Sequence, residues 1–365
     1  MKITHTEIYR LSIRMEPFVI ATGTMDYAQN TFVRIHTDQG MCGVGECSAF
    51  PMIVGETQDT CLALARNFAQ LWKGKDPLAI PERLAELDAF IARNATIKSA
   101  FDMALYDLAA KHAGVPLYRF LGGDVRDIVT DITVGIGSPV EMATKAKAFQ
   151  KQGATVLKVK LGKQPEDDIA RIRAIREQVG ETLPIRIDAN QGWGYDAAVA
   201  ALRGLQPFNI QFCEQPMRTY NDYLLPQLRN ETTIPIMADE SCYDHRDAVR
   251  LAREGGCDYI NIKFSKSGGI AEALRIQRAA ADNHIPCMIG GMLESRLALS
   301  AKVHFAYAAP NVQFFDMDTC LIGHLEDPVV GGVEFDGYRL SLPEQPGIGA
   351  DIDPVFLQQC ESWTV

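Results

Sequence analysis

From about residue 130 onward the chain repeats itself. Short β-branched segments recur roughly every 24–28 residues: Ile132–Gly137, Val156–Leu161, Pro184–Asn190, Ile210–Gln215, Ile234–Glu240, Tyr259–Lys263, Ile285–Gly290 and Gln313–Asp318, with amphipathic helical stretches between most of them. Eight such units in succession predict an α/β fold of the (β/α)8 barrel type, a modified TIM barrel. A doubly wound open sheet is the alternative, but it rarely needs eight consecutive units of such even spacing.

The stretch before the repeat reads as a small α+β unit. Residues 3–14 and 30–37 alternate as half-buried strands, the second closing on Asp38-Gln39-Gly40 before Met41–Gly45. Helical patterns follow at 57–72, 82–92 and 97–113, and Gly114 and Pro116 stop the last of them. The Gly- and Pro-rich end of the chain looks like strand-and-turn material returning to the first unit. The expected organisation is an α+β capping domain over 1–125, a barrel carrying the site over 126–319, and a C-terminal segment over 320–365.

Composition removes several function classes. With 36 basic against 46 acidic residues the formal charge is −10, so the overall field repels a phosphate backbone and no nucleic-acid partner is expected. No apolar run approaches the roughly 20 residues of a membrane span, and the N-terminus does not lead into a secretory core. A cytoplasmic protein without a membrane partner is expected. The nine cysteines sit singly, with no CxxC pair, and read as reduced, small apolar residues. HExxH, GxSxG, GxGxxG and GxxxxGK are all absent, which removes zinc protease, serine hydrolase, dinucleotide and P-loop chemistry.

Barrel strands present function at their C-terminal ends. The second segment ends in Lys158-Val159-Lys160, the third in Asp188, the fourth in Glu214, the fifth in Asp239, the sixth in Lys263 and the eighth in Asp316-Met317-Asp318. Each acid alone reads equally well as a solvated strand end or a helix cap. Three in register on adjacent strands, without bases between them, repel severely unless a divalent cation sits among them, and all-oxygen ligation favours Mg²⁺. Lys160 and Lys263 project from nearly opposite sides of the ring, which suits removing a proton from one face of a carbon and returning one to the other. Lys158, on the same side of its strand, adds a like charge that with the metal favours the neutral amine at Lys160. The plainer alternative makes both lysines ion-pair partners of the carboxylates.

Taken together, Lys158-Val159-Lys160, Asp188-Ala189-Asn190-Gln191-Gly192-Trp193, Glu214-Gln215-Pro216, Met237-Ala238-Asp239-Glu240-Ser241 and Ile260-Asn261-Ile262-Lys263 resemble the enolase superfamily, muconate-lactonizing-enzyme subgroup. The resemblance extends to Ala104-Leu105-Tyr106-Asp107-Leu108 and Leu121-Gly122-Gly123. It implies that Asp188, Glu214 and Asp239 bind one Mg²⁺, supported by Asn190 and Glu240, and that Lys160 and Lys263 are the acid and base around an enediolate.

Cycloisomerases, o-succinylbenzoate synthases, N-acylamino acid racemases and dipeptide epimerases share this apparatus in the subgroup, so the substrate must be read elsewhere. Asp316 and Asp318 lie on one face of the eighth strand and resemble the ammonium-binding pair of dipeptide epimerases. A pair away from the metal needs a cationic partner, and a peptide ammonium fits; the alternative leaves one acid solvated and the other bound to a basic side chain of the barrel. In the subgroup two loops of the first unit, here 16–26 and 49–55, close the barrel mouth. Neither holds an Arg or Lys, which tilts the expected dipeptide toward neutral or apolar side chains and away from Ala-Glu. Ile53, Met292, Leu293, Thr133 and Lys158 are further candidates for substrate contact, with interface packing as the alternative for the apolar ones. A homo-oligomer is left open, and a non-catalytic ligand-binding barrel is the rival from outside enzymology.

Overall fold

Alternating apolar residues in the first fifty positions build an antiparallel sheet from β1 (Ile3–Ile20), β2 (Gly23–Thr37) and β3 (Cys42–Ser48). The computed structural model describes the whole chain, Met1–Val365. Ile3, Ile8, Val33, Ile35 and Cys47 face one way and pack on α1 (Gln58–Trp72), α2 (Ile80–Phe90) and α3 (Ala95–His112). Helix α3 presses directly onto β3, because Gly43 and Gly45 carry no Cβ. One built there would lie 2.1 Å from the Ala104 carbonyl oxygen or 1.9 Å from that of Ala100. The last strand, Ser362–Thr364, pairs with β1 opposite Glu7–Tyr9.

The repeat folds into one eight-stranded sheet in sequential order, with neighbouring strands parallel. Its strands are β4 (Ile132–Val134), β5 (Leu157–Lys160), β6 (Ile185–Asp188), β7 (Ile210–Glu214), β8 (Ile236–Ala238), β9 (Tyr259–Ile262), β10 (Cys287–Gly290) and β11 (Val312–Asp316). Asp131 N–H donates to the Phe315 carbonyl at 3.2 Å across the seam between first and last strands. The connecting helices are α4 (Pro139–Lys151), α5 (Pro165–Val179), α6 (Tyr195–Leu205), the short α7 (Leu225–Asn230), α8 (His245–Glu254), α9 (Ile270–Asp282) and α10 (Arg296–Ala308). No long helix follows β11. The chain makes a single turn at Thr319–Leu321 and continues into short strands, so the ring is closed by seven helices and a bare eighth strand.

Side-chain alternation divides the barrel interior into layers. Phe212, Met237 and Met288 fill the lower one with Tyr259 and Phe314. The rings of Phe212, Tyr259 and Phe314 lie edge-on to one another at 4.9–5.7 Å, and Arg186 stacks over Phe212 and Phe314. Every ionisable side chain above this floor is therefore sealed from water on one side.

The segment 16–26 expected as a loop is a continuous hairpin. β1 runs to Ile20, and β2 restarts at Gly23. Its tip reaches the barrel mouth, where Ile136 N–H donates to Val19 O at 3.1 Å and Lys163 Nζ to Ala21 O at 3.3 Å. The segment 49–55 contains one helical turn, Pro51–Val54.

The capping unit is fastened to the barrel by buried carboxylates. Asp102 of α3 accepts the backbone N–H groups of Ile270 and Ala271, opening α9 from another domain. Asp102→Ala should cost about 1–2 kcal/mol in denaturant unfolding. Burial pushes the Asp102 carboxyl up to about 8. A raised folded-state pKa gives stability that is full below the ordinary carboxylate range and lost as pH rises through about 8. The wild-type advantage over Asp102→Ala should therefore shrink between pH 5 and pH 9. An advantage growing with pH would contradict the assignment.

Candidate active site

The parallel register sets three functional residues at one height: Lys160 lies opposite Asp188, and Asp188 opposite Glu214. Asp239 follows β8 and Lys263 follows β9. The sheet alternation turns Lys158, Lys160, Asp188, Glu214, Asp239, Asn261, Lys263, Asp316 and Asp318 into the mouth, all buried. Three strands separate β5 from β9 on either side of a ring of eight, so Lys160 and Lys263 face each other across it.

Each of these two lysines holds a carboxylate. Lys160 Nζ is 2.6 Å from Asp188 Oδ2, and Lys263 Nζ is 2.6 Å from Asp239 Oδ2 and 3.9 Å from Glu214 Oε1. Lys158 lies among Asp316 (2.6 Å), Glu214 (2.8 Å) and Asp188 (3.3 Å). Two expectations are corrected by this. The three strand-end acids do have bases between them, and the like charge assigned to Lys158 beside Lys160 is neutralised, because its chain reaches across the ring to three carboxylates. Burial pulls the Lys158 and Lys263 ammonium groups down, but the surrounding carboxylates together, led by Asp316 for the former and Asp239 for the latter, hold both above the usual lysine range.

Strained backbone aims the acids. Asn190 (φ 41°), Gln191 (φ 64°) and Gln215 (φ 35°) take left-handed conformations at the ends of β6 and β7, a cost of roughly 1–3 kcal/mol each for non-glycine residues. The bends let Asn190 N–H donate to Asp188 Oδ1 at 2.8 Å. They also let Gln215 Oε1 accept from Asp239 N–H at 2.9 Å and Ser241 N–H at 3.1 Å. Each bond ties one strand end to an acid.

The donor set fits a hard divalent cation. Both Glu240 oxygens and Asn190 Oδ1 are buried without a hydrogen-bond partner, and Glu214 Oε2 has only the shared Lys158 ammonium, 2.8 Å away. Burial and then Asp188 push Glu214 up to about 7, and burial and then Asp239 push Glu240 up to about 8. In and around the mouth, the carboxylates of Asp131, Asp188, Glu214, Asp239, Glu240, Asp316 and Asp318 face the cations of Lys158, Lys160, Arg186, Lys263 and Lys266. If all are ionised, two negative charges remain, the charge one Mg²⁺ neutralises.

A second carboxylate cluster lies beside the first. Oxygens of Asp131, Asp316 and Asp318 come within 4.8 Å of one another. Asp316 was expected to await a cation together with Asp318, yet Lys158 already occupies it, and Arg186 occupies Asp131 at 2.7 Å. Asp318 has only the Thr133 N–H, at 2.6 Å, and burial with Asp316 beside it pushes its carboxyl up to about 7. One uncompensated carboxylate matches a monocation better than a divalent one.

Ile53, Met292 and Leu293 come together in an apolar wall with Phe18, Met25, Phe50, Met52 and Val54. Asp131, Arg186, Asn261 and Lys266 were not anticipated. Asn261 Nδ2 donates to Glu214 Oε1 at 2.8 Å, and Lys266 Nζ to Asp239 Oδ1 at 2.8 Å. Asp131 lies two residues before Thr133 and Arg186 two before Asp188, so strand alternation could have found both. Lys266 follows Lys263 by one helical turn, a spacing equally visible.

Comparisons with known proteins bear on this geometry. Residues 141–355 match the enolase C-terminal domain-like family, and residues 3–122 match the mandelate racemase / muconate lactonizing enzyme N-terminal domain. The chain is 44% identical over 364 residues to the D-Ala-D/L-Ala epimerase of Cytophaga hutchinsonii, covering 99% of both. A crystal structure of the dipeptide epimerase from that organism, complexed with Mg and D-Ala-L-Val, superposes with a TM-score of 0.98 at 43% identity, covering all of both chains. The hydrophobic dipeptide epimerase of Enterococcus faecalis is 39% identical, over 96% of this chain and 99% of its own. N-succinyl Arg/Lys racemase from Bacillus cereus has a TM-score of 0.97 at 29% identity over all of both chains. Nearly the same backbone thus serves different substrates.

Protons and cation compete for Glu214 and Glu240. Both acids hold protons below about 7–8, so Mg²⁺ affinity should rise from pH 6 to a plateau above pH 8, with proton release on binding. Calorimetry in buffers of different ionisation enthalpy measures both, and pH-independent affinity would contradict the assignment. Asp239→Asn should weaken Mg²⁺ binding, and chelation should abolish turnover.

Proposed function

Because the chain belongs to the mandelate racemase / muconate lactonizing enzyme family of the enolase superfamily, we propose that it is a Mg²⁺-dependent dipeptide epimerase acting on free dipeptides with neutral or apolar side chains. The supporting observation is the pair of opposed lysines, Lys160 and Lys263, with carboxylates between them and an unpaired Asp318 to one side.

Asp318, with its backbone anchor at Thr133, binds the dipeptide ammonium and sets which end of the substrate enters. That places the C-terminal residue between the lysines. One lysine takes the α-proton from one face, and the other, still an ammonium, delivers a proton to the opposite face. Asp188 and Asp239 orient the two amines, and Lys158 offsets the negative charge around them. Asp188, Glu214 and Asp239 would hold Mg²⁺, which would supply positive charge to stabilise the substrate carboxylate as the proton leaves. The apolar wall excludes water and receives the side chain. Lys163, which bonds Ala21 O at the hairpin tip, is exposed.

In D₂O, Lys160→Ala should stop epimerisation while one stereoisomer still exchanges its α-proton through Lys263; Lys263→Ala should show the mirror pattern. Unchanged epimerisation in either variant rejects the two-base mechanism. An N-acetyl dipeptide leaves Asp318 buried without its cation, so free dipeptides should win by at least about tenfold in kcat/KM, the equivalent of ~1.4 kcal/mol. Asp318→Asn should narrow that gap. Equal rates on free and N-acetyl substrates overturn the ammonium site, whereas a strong preference for Ala-Glu overturns only the side-chain reading.

A further inference from the structure

A buried carboxylate of the capping sheet completes a helix cap in the barrel. Helix α10 starts at the N-cap Ser295, whose side chain accepts from Leu297 N–H. In a capping box an acidic third residue would reach back to the N-cap amide, but that residue is Ala298. Glu46 of β3 takes its place. One of its oxygens accepts from Ser295 N–H at 2.9 Å and Asn30 Nδ2 at 2.7 Å, the other from Ser295 Oγ at 2.6 Å and Ala298 N–H at 3.2 Å. The same patch of capping sheet grips the residues just before the helix. Asn30 Nδ2 also donates to Leu293 O at 3.2 Å, and Leu293 N–H donates to Ser48 Oγ at 3.3 Å. Both backbone polar groups of Leu293 are thus held by the other domain, while its side chain joins Met292 in the apolar wall.

We propose that Glu46, with Asn30 and Ser48, is a positioning residue for substrate selection: it locks the Met292–Leu293 segment to the capping sheet, so that the wall meeting the substrate side chain has one fixed depth. This rests on the reading of that wall as the side-chain pocket. Nothing in the network touches the lysines or the metal-binding carboxylates, so its loss acts on fit before it acts on proton transfer.

The test is the ratio of kcat/KM for Ala-Leu to that for Ala-Ala. Glu46→Gln keeps the size but replaces one of the two acceptor oxygens with a donor. It should change the ratio by about fivefold or more through KM, with kcat on Ala-Ala within about twofold. Ser48→Ala removes only the acceptor for Leu293 and should shift the ratio the same way by a smaller factor; it carries the test if Glu46→Gln does not fold. A ratio unchanged in the folded variants, with only the melting temperature lowered, overturns the proposal and leaves Glu46 a structural brace. Leu293→Ala separates the two readings. If it alters the ratio while the network variants do not, this proposal fails alone; if it also leaves the ratio unchanged, the pocket reading fails and the proposal with it.

Discussion

A layer of charge buried over an aromatic floor governs this molecule. Two unit charges 4 Å apart interact by about 4 kcal/mol at the effective dielectric of partly buried sites, several times the value in water. Seven carboxylates close together cannot all remain ionised in such a place unless cations lie among them. The barrel supplies five from its own strands and turns, four placed against an acid by strand alternation and Lys266 by the helical turn after Lys263. The remaining imbalance shows in the acids that lack a dedicated partner. Glu214, Glu240 and Asp318 are pushed up to about 7 to 8, while Asp239, gripped by Lys263 and Lys266, is held well below the carboxylate range despite its burial.

That imbalance divides the mouth into two halves of different valence. Beside Asp188, Glu214 and Asp239, both Glu240 oxygens and Asn190 Oδ1 are buried without a hydrogen-bond partner, which suits a divalent ion. Around Asp131, Asp316 and Asp318 the scaffold has already compensated two of three charges, which leaves room for one ammonium. Lys158 is common to both halves, bonded to Glu214 and Asp188 on one side and Asp316 on the other. It couples the two electrostatically, and so acts more as a shared counter-ion than as a neighbour of Lys160.

The fold was legible because the eightfold period and the strand-end charges are local in sequence, and so were the opposed lysines, which follow from counting strands around a ring. Partnership was not. Whether Asp316 was free depended on a lysine 158 positions away, and nothing local distinguishes a carboxylate awaiting a ligand from one already held. The hairpin at 16–26 was missed for a related reason. A loop there is what the resemblance implied, yet pairing with the neighbouring strand resumes after an irregularity between Arg14 and Phe18 and carries the hairpin to the barrel mouth. Asp131, Arg186 and Lys266 obeyed the same alternation and helical spacing as the residues that were found. What hid them was the absence of a motif to draw attention to their positions.

Low dielectric is needed on both sides of the charged layer. Phe212, Tyr259 and Phe314 give it from below as part of the barrel, but from above it comes from another domain, through the hairpin tip and the apolar wall of Met25, Phe50, Met52 and Ile53. On the proposed reading of this wall, the residues that would meet a substrate side chain also keep water away from the lysines. A polar side chain in that wall would do more than recognise a polar substrate. It would bring water toward Asp188 and Asp239 and weaken the pairings that orient the two amines. A capping domain that swung freely would have the same effect, which gives a physical reason for the buried contact of Asp102 with the start of α9 and for a helix α3 packed on glycines at the sheet. Substrate choice in this architecture is thus free to vary in the size and shape of the wall, and much less free to vary in its polarity.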